Sequence, residues 1–297
     1  MKKKNSLIEL YRFIFAMAVV NYHGYFPFNT PYLSAGRLSV EFFFILSGYL
    51  LVRSVDKFMD MKLYKGAIKF IWSKIYPIII PLSIGILCNI IGMFKDNEFS
   101  ANIFGFLWYV KQMLSMSLYY FILRYFIKNK NINLAIIASI FVIYAVLNCH
   151  EDYYQRGDVR AIAAMSLGVI IAYIPSINEK FSKKVWYALV PIQLATLCLM
   201  LFSNNLWADN YLVLERIAHW GLYPLMIYLT FQVKCHNKVF DYLGSISFGL
   251  YAFQCVASCM SKYGVTNVYV LFLVIVVLSI IERFVKMILK NRKRVSC

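Results

Sequence analysis

From residue 7 to residue 289 the chain returns to a long apolar run after every polar link. These runs are too long and too uniformly apolar for the amphipathic helices or alternating strands of a soluble domain of this size. In lipid every backbone N–H and C=O must be satisfied within the chain, which for runs of about 20 apolar residues means helices. With 61% hydrophobic and 15% charged residues among 297, the sequence predicts an all-α, polytopic membrane protein.

Cutting the sequence at its polar links gives ten apolar segments, near 7–28, 36–53, 70–94, 104–127, 133–149, 160–175, 185–203, 211–232, 239–262 and 266–289. There is no internal repeat, low-complexity tract or appended soluble domain, so one membrane domain is expected to account for residues 1–297. Lys2, Lys3 and Lys4 resemble a signal n-region, but the following segment carries Arg12 and His23 and lacks a small-residue cleavage site. It is expected to stay as the first transmembrane helix.

The net charge of +17 would suggest nucleic acid in a soluble chain. Here the basic residues alternate from link to link. Twenty-three of the 31 Lys and Arg residues fall in one set of links with both termini, and five in the other set. This is the positive-inside pattern, so both termini are expected in the cytoplasm and no nucleic-acid partner is expected. The seven cysteines are scattered without C-x-x-C pairs. Cys255 and Cys259 lie one helical turn apart, but a cysteine in an apolar run usually packs as a small hydrophobe, so neither a metal site nor a structural disulfide is expected.

The chemistry-bearing residues concentrate between Arg12 and Gly48. Arg12 and His23 are 11 residues apart, which places them within about 20° on one helix face and about 16 Å apart along the axis. Arg12 either snorkels to the headgroups or lines an inward pathway, and His23 either bonds a neighbouring helix or acts as a base. Glu41 is the available carboxylate to orient the His23 ring if the first two helices form a hairpin; otherwise it is an interface residue with its head in water. Glu41, Phe44, Ile45 and Gly48 form one stripe, with Ser47 beside it and Gly48 open to close approach. Lys111 with Gln112, and Arg216 with His219, are further intramembrane polar groups. Pro77 and Pro81 can kink the third segment. The outward link NCHEDYYQRGD (148–158) joins acids and aromatics, suited to a sugar-bearing acceptor or to a membrane-interface belt. Serine-triad, Walker and dinucleotide motifs are absent from the sequence.

Arg12 followed by His23, then GRLSVEFFFILSGYLL with Phe43, Phe44, Ser47 and Gly48, resembles the first two helices of acyltransferase family 3, the integral-membrane O-acyltransferases. Lys74 to Pro77, Phe106 to Tyr109 around Trp108, RAIAAMSLGVIIAY from Arg160 and LGSISFGLYAF from Leu243 extend the resemblance in order along nearly the whole chain. Three positions depart from it. Gln254 stands where many relatives have histidine, Glu41 replaces a more usual aspartate, and Lys111, Gln112 and Met113 follow the tryptophan motif where some relatives carry glutamate.

The resemblance implies ten crossings and transfer of an acyl group, often acetyl, from cytoplasmic acyl-CoA to a hydroxyl of an envelope polysaccharide or lipid-linked sugar. Acyl-CoA is then a donor substrate, with no permanently bound cofactor. His23 and Glu41 become the expected catalytic pair. Arg12, Lys74 and Arg160 are expected to bind polar parts of donor or acceptor, with Phe43, Phe44, Ser47, Gly48 and Trp108 shaping the binding site. The sequence does not fix the oligomeric state. A secondary transporter or flippase for a lipid-linked sugar is the alternative, using the same charges as a pathway but without the repeat such folds usually carry. A noncatalytic membrane sensor is a third reading.

The charge map makes a direct prediction. A fluorescent protein fused after Cys297 should fluoresce, while alkaline phosphatase fused there should be inactive; the reverse result would invert the topology.

Overall fold

The computed structural model describes residues 5–27, 36–96, 107–154, 156–175, 218–233 and 235–295. All regular structure among them is helical. Four stretches are long and apolar enough to cross a membrane: Leu63–Lys95, Lys130–Cys149, Lys238–Lys262 and Val268–Leu289. Other expected crossings are helical but shorter or interrupted by charge. The segment expected at 185–203 lies outside the described residues, as do Arg216 and Phe106.

The chain divides into two compact units. Met1–Gly36, Ile78–Leu107 and Cys235–Cys297 form the first, and Arg37–Pro77 and Trp108–Lys234 the second.

In the first unit, α1 (Ser6–Tyr22) starts where the Asn5 side chain accepts from Leu7 N, satisfying one of the open N–H groups of the first turn. It ends sooner than the apolar run that reaches residue 28. Gly24 adopts the left-handed region, φ 77°, and lets Tyr25 N–H turn back onto the Val20 carbonyl. His23 is therefore the C-cap of α1. Helix α1 packs on α10 (Lys238–Ala252), which also packs on α12 (Val268–Val295). The pairs Ser6 with Asp241 and Glu9 with Gly244 share one offset, so α1 and α10 run parallel. Helix α11 (Gln254–Lys262) follows a break at Phe253 and packs on α4 (Ile79–Asp96) and α12. Gln254 is buried at this break and donates from Nε2 to the Leu250 carbonyl at 3.1 Å.

The second unit holds α2 (Gly36–Val55), α3 (Leu63–Ile75), α5 (Trp108–Phe126), α6 (Lys130–Cys149), the short α7 (Glu151–Tyr154), α8 (Gly157–Ala172) and α9 (Tyr223–Gln232). A 3-10 turn at Tyr76–Ile78 follows α3 at Pro77, consistent with the loss of that residue's N–H. Helix α8 is buried along most of its length and packs on α5, α6 and α9. Its composition explains this: Ala161, Ala163, Ala164, Ser166 and Gly168 let neighbouring backbones close in. Against α2 the approach is closest. A Cβ on Gly48 would collide with the Met165 carbonyl, and a Cβ on Gly168 with the Ile45 carbonyl. Helix α6 buries the stripe Asn133, Ile137, Ala145 and Asn148 and exposes Ile132, Val142, Ile143 and Val146, the division expected of a helix between protein and lipid.

This packing predicts that Gly48→Ala lowers the thermal unfolding temperature of the detergent-purified protein by an amount corresponding to about 1–3 kcal/mol of overpacking. Gly221→Ala, at a position where an added Cβ meets nothing within 4 Å, should leave it nearly unchanged.

Candidate active site

The residues singled out in the sequence fall into both units. In the second unit, most of them converge at the N-terminal ends of α2, α5 and α8. Glu41 of α2 and Arg160 of α8 form an ion pair, Nε to Oε1 at 2.8 Å, with side chains 2% and 7% exposed. The Arg160 guanidinium lies 5.6 Å from the centre of the Trp108 ring. That ring in turn fills the space left by Gly157, where a Cβ would stand 2.7 Å from its carbon atoms.

The α5-facing side of α2 carries the rest. Ser47 Oγ and the Tyr109 hydroxyl are 2.9 Å apart, and Tyr109 also donates to the Phe43 carbonyl at 3.3 Å. Phe44 is fully buried, its ring centre 5.9 Å from that of Trp108 and 4.6 Å from that of Tyr109. The serine thus bonds another helix instead of its own backbone. Gly48 is filled by the α8 backbone, so it serves helix approach.

Lys74 lies apart from this cluster, on α3. It donates to Ser54 Oγ at 2.8 Å and lies over the Phe70 ring at 5.4 Å. His219 is buried in a π-helical turn, Ala218–Leu222, with its ring stacked on Tyr223. Lys111 is exposed. At the start of α8, Arg156 donates twice to Asp158 of the first turn, at 2.7 and 3.2 Å, and these hydrogen bonds hold the Asp158 carboxyl below the usual carboxylate range.

In the first unit, Arg12 pairs with Glu9 at 2.8 Å. Glu9 is buried against Gly244 of α10. Sequence reasoning passed over Glu9, although its i, i+3 spacing to Arg12 is the signal for such a pair. His23, half-buried at the end of α1, meets the Tyr22 ring edge-on at 5.3 Å. Just beyond it, Gly24, Phe26, Pro27, Asn267, Val268 and Tyr269 line a cleft of about 380 Å³. No group of three His, Cys, Asp or Glu side chains among the described residues is placed to hold a metal ion.

A family model described as an acyltransferase domain, that of acyltransferase family 3, matches residues 5–281. The chain belongs to acyltransferase family 3. Comparisons with curated proteins and with solved structures find no match. Membership makes the protein a membrane acyltransferase, and the match spans both units, including α1 with Arg12 and His23 and the Glu41–Arg160–Trp108 cluster.

The buried pair in this acyltransferase can be tested directly. Glu41→Ala or Arg160→Ala alone should destabilise by about 3–5 kcal/mol, because each leaves the other charge buried without its partner. Glu41→Leu combined with Arg160→Met should recover most of that loss in thermal unfolding while leaving acyl transfer impaired. A double-variant loss equal to the sum of the two single losses would show that the two side chains are not coupled.

Proposed function

We propose that this acyltransferase moves an acyl group, expected to be acetyl, from cytoplasmic acyl-CoA to a hydroxyl of an envelope polysaccharide or lipid-linked sugar. The observation that carries this reading is the polarity of α1, with Arg12 in its first half and His23 at its C-terminal cap. Eleven residues of helix separate them by about 16 Å, enough for one helix to serve a donor at one depth and a reacting hydroxyl at another. Both termini and the basic links are assigned to the cytoplasm, with ten crossings in all. Arg12 then lies toward the cytoplasm and His23 toward the outer half.

In this mechanism Arg12 binds a CoA phosphate, and the lysines around Lys74 attract the polyanion. His23 removes the proton from the acceptor hydroxyl. The oxygen attacks the thioester carbonyl, the C–S bond breaks, and the proton leaves His23 for the departing CoA thiolate. Arg160, held by Glu41 and facing Trp108, is assigned to polar groups of donor or acceptor. Within the second unit, Phe43, Phe44 and Ser47 are assigned to shaping the binding site beside Arg160. Gln254, where many relatives have a histidine, leaves His23 to carry the proton transfer.

Purified protein with labelled acetyl-CoA and lipid-linked glycan from the source membrane tests the scheme. His23→Ala should reduce transfer by about 10²–10⁴-fold with folding intact; retained activity would refute the role of His23. Arg12→Ala should weaken CoA binding, and unchanged affinity would remove Arg12 from the donor site.

A further inference from the structure

We propose that Glu9 is a positioning residue of the donor site, fixing the Arg12 guanidinium for a CoA phosphate; this rests on the assignment of Arg12 to the donor. A carboxylate in the first turn of a helix at a membrane surface would ordinarily be hydrated. Glu9 is only 7% exposed, and α10 accommodates it by having no side chain at Gly244, where a Cβ would overlap the Glu9 side chain. The surrounding backbone is tied down from several directions. Ser6 Oγ donates to Asp241 at 2.8 Å, Asn237 N donates to Ser6 Oγ at 2.8 Å, and Ser6 N donates to the Cys235 carbonyl at 3.1 Å. Glu9 therefore starts from a fixed platform.

Arg12 is different. Its side chain is 31% exposed, so it is open to a ligand, and an arginine at this depth would otherwise snorkel among several rotamers. The bond from Nη1 to Glu9 Oε2 at 2.8 Å holds one edge of the planar guanidinium. Guanidinium recognition of phosphate depends on the orientation of that fork, so fixing it in advance reduces what binding must order.

The sign of one substitution separates positioning from charge balance. A carboxylate beside Arg12 opposes attraction of the CoA polyanion, so if Glu9 acted only through charge, Glu9→Gln would tighten donor binding. If Glu9 acts by orientation, the isosteric Glu9→Gln weakens it, because an amide oxygen replaces the carboxylate and holds the guanidinium less firmly.

The test uses the full-length protein in detergent with acetyl-CoA and CoA. Glu9→Gln should raise KM for acetyl-CoA and Kd for CoA about tenfold, the scale of one charge-assisted hydrogen bond, with kcat and the acceptor KM nearly unchanged. Gly244→Ala, which displaces Glu9, should shift KM in the same direction, and Glu9→Asp should fall between wild type and Glu9→Gln. In an Arg12→Ala background Glu9→Gln should add nothing. Unchanged or tighter CoA binding in Glu9→Gln, while Arg12→Ala weakens it, would overturn the positioning role and leave the donor assignment standing. Unchanged binding in Arg12→Ala would overturn both. Should Glu9→Gln fail to fold, Arg12→Lys keeps the ion pair but loses the planar fork; it should raise KM similarly, and an unchanged KM would overturn the proposal.

Discussion

The contact on which the second unit depends is the approach of α2 to α8 at Gly48 and Gly168. Each glycine receives a carbonyl of the facing helix, so two backbones meet with no side chain between them. In lipid there is little hydrophobic drive to bring helices together, and close packing of small residues supplies the attraction. The ion pair of Glu41 and Arg160 sits further toward the N-terminal ends of the same two helices. A larger residue at either glycine would separate the helices that hold that pair. Packing and electrostatics in this unit are therefore coupled through two positions that carry no chemistry themselves.

The first unit solves a related problem with polar groups. Its α1–α10 pair is joined by the Ser6–Asp241 bond and by the carboxylate of Glu9 lodged over Gly244. Again a glycine marks where helices close in, but here the space is taken by an ionisable side chain from the partner helix. Both arrangements place charge inside a membrane protein, and in both a charged partner lies at 2.8 Å.

Much of this was legible in the sequence, for physical reasons. The helical class followed from apolar run length, and Arg12, His23 and Glu41 stood out because lipid makes ionisable side chains costly, whereas Arg160 stood out only through the family resemblance. Gly48 was legible as a site of close approach, but its partner was not, since nothing in a sequence says which of several small-residue helices will face it. The Ser47–Tyr109 bond was illegible for the same reason: a serine hydroxyl usually bonds within its own helix, and the tyrosine that captures it is 62 residues away. The end of α1 was misjudged because apolar character continues to Phe28, whereas the helix stops at the glycine that can adopt a positive φ. Glu9 was readable from its spacing to Arg12, yet its burial was not, because that depends on Gly244 of another helix.

The early stop of α1 has a consequence for the histidine it carries. The last carbonyls of a helix lack intrahelical partners and together amount to about half a negative charge. His23 caps that end. A residue at that end stands in a fixed negative potential supplied by the main chain. The glycine that ends the helix therefore decides where along the chain that potential is delivered.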